Sequence, residues 1–149
     1  MKQVIAAIIF IAVLGYAYPV IFGPSQVIEA VDIFTEDEAI VVQVDFGVPV
    51  RYEEHYPEKT GEILQIKCRL VSLSGISKKE IVSITTLRPE LVDQISLVNV
   101  TYEGGVPGGP LLTMLFSEPV KYEVREDPQL KSLFVVFPKV NLKKKNTKS

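Results

Sequence analysis

An all-β fold, a two-sheet β-sandwich from two related four-strand units joined by a short helical linker, is predicted by three features of this 149-residue chain. The stretch Phe46-Gly-Val-Pro-Val-Arg-Tyr-Glu-Glu54 recurs as Phe116-Ser-Glu-Pro-Val-Lys-Tyr-Glu-Val124, with Phe, Pro, Val, Tyr and Glu repeated at a constant offset of 70 and Arg51 returning as Lys121. Around each copy, apolar and polar residues alternate with the period of two that marks a half-buried strand. Gly, Pro and Asp clusters cut the alternating runs into short pieces, as tight turns do.

Taken in order, Lys2 precedes an apolar run from Val4 to Leu14 and then Gly15-Tyr-Ala17, which has small residues where a signal peptidase needs them. Residues 1–17 read as a cleaved export signal. The rival reading is an uncleaved anchor, because apolar character resumes through Tyr18-Pro-Val-Ile-Phe22 and nearly reaches the span a bilayer requires. Either way the domain is expected outside the cytosol, in the periplasm or elsewhere in the cell envelope.

The sandwich is expected over residues 27–140, with units 27–70 and 94–138. In the first unit, Val31 and Ile33 belong to one strand, and Ile40, Val42, Val44 and Phe46 to a second. Pro49 lacks a ladder donor, so a third strand begins there or lies at a sheet edge. In it Val50 and Tyr52 face one way, and Arg51, Glu53 and His55 the other. Ile63 to Leu70 is the fourth strand. The second unit repeats the plan, with Val98, Asn99 and Val100 matched to Val31, Asp32 and Ile33 at offset 67, and Leu64 and Ile66 matched to Phe134 and Val136 at offset 70. Between the units, Ser77-Lys-Lys-Glu80 has the spacing of a capping box ahead of Ile81, and Pro89 could open a further turn of helix. Residues 141–149, with Lys143, Lys144, Lys145 and Lys148, read as a basic disordered tail.

Two meanders, each with one apolar face, bury those faces against each other. Tyr52 and Tyr122 then lie between the sheets. On the outside the units differ: where the first has Asp45, Gln65 and Lys67, the second has Leu115, Val135 and Phe137. With Leu133 these form an apolar strip that either binds a partner or seats the linker's Ile76, Ile81, Ile84 and Leu87.

A formal charge of -2 gives no electrostatic case for nucleic acid. The lone Cys68 alternates with Leu64, Ile66 and Leu70, which makes it an apolar filler and rules out an intramolecular disulfide. His55 and Glu53 could offer two metal ligands, yet a site needs three or four. Gly104-Gly105 and Gly108-Gly109 lack the Lys-Ser/Thr of a phosphate loop. Neither a nucleophile with its base nor a metal-ligand spacing is present, so no enzyme, no metal and no cofactor is expected.

The run Leu112-x-Met-x-Phe-Ser-Glu-Pro-Val-Lys-Tyr-Glu-Val, followed by Asp127-Pro128 and Leu133-Phe-Val-Val-Phe-Pro138, resembles the AMIN domain, an all-β module of bacterial envelope proteins. The family occurs in N-acetylmuramoyl-L-alanine amidases and in secretins of type IV pili. Two positions depart from its pattern: the basic residue that follows Asn/Asp-Pro is displaced here to Lys131, and the acidic position before the final Pro is Phe137. The resemblance implies an exported, non-enzymatic domain that localises at the cell envelope, with peptidoglycan or an envelope protein complex as partner. Contact with a bilayer is expected only through an uncleaved N-terminus. Ligand contacts are expected from Arg51, Glu53 and His55 on one unit and Lys121, Glu123 and Arg125 on the other, and partner contacts from Leu115, Leu133, Val135 and Phe137. The alternative is an assembly module that uses the apolar strip or an open strand edge.

Overall fold

The computed structural model describes residues 26–89 and 95–138. They form an all-β sandwich of two antiparallel sheets. In chain order the elements are β1 (Ile28–Glu36), β2 (Ala39–Phe46), β3 (Val50–Tyr56), β4 (Thr60–Leu70), α1 (Lys78–Ile81), β5 (Ile84–Leu87), β6 (Leu97–Glu103), β7 (Leu111–Lys121), β8 (Glu123–Glu126) and β9 (Ser132–Phe137). Sheet I has the order β1-β2-β9-β8 and sheet II the order β3-β4-β7-β6-β5. The expected export signal at 1–17, the basic tail at 141–149 and the helical turn after Pro89 lie outside the described residues.

Local chemistry sets the element ends. Asp37 and Glu38, both at positive φ (48° and 65°), make the two-residue loop between β1 and β2, a backbone twist that matches the twist of the flanking strands. Pro49 precedes β3, and its carbonyl accepts from the Val71 amide at 2.9 Å. The Ser77 hydroxyl accepts the Glu80 amide at 3.3 Å and caps α1. That helix ends at Ile81 because β-branched Ile84, Thr85 and Thr86 favour the extended chain, and they pair with β6 as strand β5. The linker is therefore one helical turn followed by a strand.

The meanders do not each make a sheet. Within each unit the first two strands enter one sheet and the last two enter the other. Exchanging β1 with β6, β2 with β7, β3 with β8 and β4 with β9 turns the order of sheet I into the reverse order of sheet II without β5. The pairs obey the same exchange. Ile28–Phe46, Val31–Val44 and Ile33–Val42 answer to Leu97–Phe116, Val100–Met114 and Tyr102–Leu112. Val44–Leu133 and Val42–Val135 answer to Met114–Leu64 and Leu112–Ile66. The working offsets are thus 69 for β1 to β6 and 69 for β4 to β9, beside 70 for β2 to β7. These replace the expected 67 and 70 for the first and last strands.

The one-residue difference has a location. Between Tyr52 and Glu54 the β3–β4 register shifts, so Glu53 is an extra residue in a β-bulge. Tyr52 matches Tyr122 before the bulge; Glu54, His55 and Tyr56 match Glu123, Val124 and Arg125 after it. Slipping a strand by one residue exchanges its two faces. The expected outer strip is corrected accordingly: Leu133, Val135 and Phe137 have no exposed surface and lie in the core, while Phe134 and Val136 point outward from β9. Leu115 alone stays outside, half-buried on sheet II. The linker does not cover such a strip, since Ile76 and Leu87 pack on the core and Ile84 is exposed.

One core joins the sheets. Val42, Val44, Leu64, Ile66, Val100, Leu112, Met114, Leu133, Val135 and Phe137 are all essentially without solvent contact. Each such side chain contributes about 1.5–3 kcal/mol on burial, so the apolar face shared by the two sheets holds them together.

Candidate functional site

The bulge decides where the candidate ligand residues point. Before it, Arg51 lies on the outer face of sheet II, directly across from Arg69. After it, His55 pairs with the fully buried Ile66 and turns inward. Its Nδ1 is 2.7 Å from the Tyr52 hydroxyl and its Nε2 2.8 Å from the Glu58 carbonyl. His55 is therefore removed from the expected outer set and serves to hold the β3 end against the turn. Glu123 and Arg125 pair with Val136 and Phe134, which puts them on the outer face of sheet I. Their charged groups meet at 3.1 Å. Lys121 ends β7 opposite Thr60. The six residues expected to act together thus divide among two opposite outer faces and the interior, and they form no single site.

A different set is assembled on the outer face of sheet II. Strand pairing lines up Tyr56, Gln65, Thr113, Thr101 and Thr86, one from each of the five strands. To one side runs the row Glu54, Lys67, Leu111, Glu103 and Ile84, and to the other Ile63, Leu115 and Asn99. Tyr56 is 75% exposed and Ile63 49%. With Pro57, Glu62 and Gln65 they line a shallow groove of about 420 Å³. The Thr86 and Thr101 hydroxyls are 3.0 Å apart.

Beyond this row the face becomes charged. Along β4 the outward residues run Ile63, Gln65, Lys67, Arg69, from apolar to cationic. Glu53 lies 3.9 Å from both Lys67 and Arg69, and Glu54 lies 3.6 Å from Lys67. Exposed pairs of this kind contribute roughly 0–1 kcal/mol. Arg51 has no ion pair among the described residues, and it faces Arg69 across the strand pair. Like charges directly opposite each other destabilise a sheet; Glu53, 3.9 Å from Arg69, offsets part of that cost on the Arg69 side only.

The groups that carry intrinsic reactivity are inside. Cys68 is buried and its thiol is pushed up from 9.0 to about 12, first by burial and then by Glu53 and Glu126. Burial also raises Tyr102 to about 12 and shifts Tyr52 and Tyr122 upward. Because the folded thiol holds its proton more firmly, its contribution is complete below about pH 9 and is lost as the pH rises towards 12. Two results are expected: iodoacetamide modifies Cys68 only at the rate of unfolding, and Cys68→Ala flattens part of the fall in stability above pH 9. Fast labelling of the native chain at neutral pH would contradict this burial. Among the described residues, no group of three or more His, Cys, Asp and Glu side chains is placed to hold a metal ion.

Tyr56, Gln65, Thr113, Thr101, Thr86 and Arg69 were not expected as site residues. Gln65 and Arg69 sit in the polar phase of β4, which reads as ordinary solvated surface, whereas Tyr56 shares the phase of Val50 and Tyr52 and faces outward only because of the bulge at Glu53. What joins them is the pairing register across five strands, and no single strand carries that information. Comparison with protein families, with characterised proteins and with solved structures finds no match to this chain.

Proposed function

We propose that this chain is an AMIN-like, exported, non-enzymatic domain that binds peptidoglycan and so localises at the cell envelope, and that it binds through the outer face of sheet II. The reading is supported by an all-β two-sheet sandwich, the architecture that the resemblance implies. The observation that carries it is Arg51, without an ion pair among the described residues, opposite Arg69 at the margin of an open face with an exposed tyrosine. Peptidoglycan is an uncharged glycan bearing peptides with carboxylates. A guanidinium pair can take a carboxylate in charge-assisted, bidentate hydrogen bonds, while the neutral part of the face meets the rest. Of the expected ligand residues, Arg51 and Glu53 remain in this proposal.

Co-sedimentation with purified peptidoglycan tests it. The full chain should pellet with the polymer at low salt and less so at high salt, since exposed charges further apart than about 10 Å are screened at 0.1 M. Arg51→Ala should reduce retention and weaken its salt dependence. Equal recovery in the supernatant with and without peptidoglycan at low salt would sink the reading.

A second reading, assembly through a strand edge, is favoured by β1. Among the described residues this nine-residue strand lies at the edge of sheet I; it carries neither Pro nor Lys, and only the acidic Glu29, Asp32 and Glu36 guard it. It predicts a peptidoglycan-independent complex that is abolished by Val31→Pro.

A further inference from the structure

We infer that the transverse row Tyr56, Gln65, Thr113, Thr101 and Thr86 is a subsite for an uncharged glycan strand lying across the β-strands, with the glycan's acidic substituents directed towards Arg51 and Arg69. This rests on the envelope-binding reading and specifies which part of the polymer is read and where.

The row is a product of register: Tyr56 faces Gln65, Gln65 faces Thr113, Thr113 faces Thr101 and Thr101 faces Thr86. With strands about 4.8 Å apart, four intervals make a track on the order of 19 Å, long enough for several sugar units. Its chemistry is all neutral: three hydroxyls and one amide that donate and accept, and one phenol that does both. Neither Gln65 nor Thr113 makes a side-chain hydrogen bond to a described residue, so both are available to a ligand. The sugar's apolar C–H faces find Tyr56, Ile63 and Leu115, of which Tyr56 and Ile63 are well exposed. A ring with an apolar body and a polar tip suits such a wet contact.

Charge argues for the same occupant. The equivalent row on sheet I is Arg125, Phe134, Gln43 and Asp32. There Gln43 donates to Asp45 at 2.7 Å and Arg125 bonds Glu123 at 3.1 Å. One of the two related rows therefore carries charge and bonds its polar groups internally, while the other is charge-free and, beside the Thr86–Thr101 contact, leaves Gln65 and Thr113 without a side-chain hydrogen bond among the described residues. A charge-free row does not attract a polyanion such as nucleic acid. Lys67 is two residues and Arg69 four residues along β4 from Gln65, the latter about 13 Å away, and they share that side with Arg51 and with Glu53, Glu54 and Glu103. Lys67 and Arg69 already meet Glu53 and Glu54, so Arg51, without an ion pair among the described residues, is the cation on this flank left to an acidic substituent of the neutral glycan.

Binding of the full chain to intact peptidoglycan, to peptide-free glycan strands and to soluble N-acetylglucosamine oligomers tests the inference. Tyr56→Ala and Thr113→Val should each weaken binding to all three by about tenfold, equivalent to about 1.4 kcal/mol. Arg51→Ala should weaken binding to intact peptidoglycan and to peptide-free strands, whose freed lactyl groups are carboxylates, but not to the uncharged N-acetylglucosamine oligomers, and Glu29→Ala, on β1, should leave all three unchanged. Thermal unfolding of each variant controls for folding, and Thr101→Val replaces Thr113→Val if the latter melts early. If wild type binds intact peptidoglycan but not peptide-free strands, or if the row variants bind like wild type, the glycan subsite is wrong and the envelope reading stands. If wild type binds no peptidoglycan at all, both fall together.

Discussion

Gly104→Ala is expected to be among the most damaging single substitutions in this chain, at roughly 3 kcal/mol or more, from overpacking of about 1–3 and an unsatisfied buried group of about 1–3. A Cβ on Gly104 would stand 1.6 Å from the Ile81 carbonyl oxygen and 2.6 Å from its carbon. Both are backbone atoms, so no rotamer change relieves the clash. The end of α1 would have to leave β6. That motion breaks the hydrogen bond from the Gly104 amide to the Ser83 carbonyl, 3.0 Å, and the one from the Tyr102 hydroxyl to the Ile81 carbonyl, 2.8 Å. Tyr102 is 2% exposed, so its phenol would lose its partner with little water to replace it. The midpoint of thermal unfolding should drop by more than about 10 °C, at about 4 °C or more per kcal/mol for a domain of this size. Gly105→Ala is the control, since its nearest neighbour would be an ordinary 3.4 Å away. Equal melting of Gly104→Ala and wild type would mean that α1 does not sit on β6.

The strands were legible in the sequence wherever one face is polar. In β2, Gln43 and Asp45 mark the outer side, and Val42, Val44 and Phe46 are accordingly buried. In β9 the run Leu133-Phe-Val-Val-Phe137 is apolar on both faces, so alternation cannot tell inside from outside. The extra residue at Glu53 then made the wrong face look right, because a constant offset of 70 carried Leu64 onto Phe134 when its structural counterpart is Leu133. A bulge has no signature in one strand; it is a relation between two. His55 was misplaced by the same residue. The candidate site was legible only at Arg51 and Glu53, on the near side of the bulge or at it. Its larger part needs the order β3-β4-β7-β6-β5, which brings positions 56, 65, 113, 101 and 86 side by side. The sheet composition is not legible either, since the sequence order of the meanders does not reveal that each is divided between the sheets.

Tyr122→Ala should lower stability by roughly 3–5 kcal/mol, the range for removing a large buried ring. Tyr122 is 2% exposed, its ring lies 6.5 Å from that of Phe116 in a stacked arrangement, and Phe116 in turn meets Phe137 edge-on at 5.6 Å. Its hydroxyl donates to the Pro57 carbonyl at 2.9 Å, and its amide to the Lys59 carbonyl at 3.0 Å. The residue therefore ties the β7–β8 junction to the β3–β4 turn as well as filling the core. Tyr122→Phe separates these roles: it keeps the ring and loses only the hydrogen bond, at about 1 kcal/mol. Tyr52, its counterpart before the bulge, is only half-buried and bonds His55 instead. Tyr52→Ala should accordingly cost less than Tyr122→Ala, although the two tyrosines occupy matched places in the sequence repeat. Glu123→Ala, next in the chain but exposed and paired only with Arg125 among the described residues, should change stability by less than about 1 kcal/mol. Chemical denaturation of the four variants gives the order Tyr122→Ala, then Tyr52→Ala, then Tyr122→Phe and Glu123→Ala as the mildest two. If Glu123→Ala unfolds the domain while Tyr122→Ala melts like wild type, β8 faces the other way and the outer and inner sides of sheet I must be exchanged.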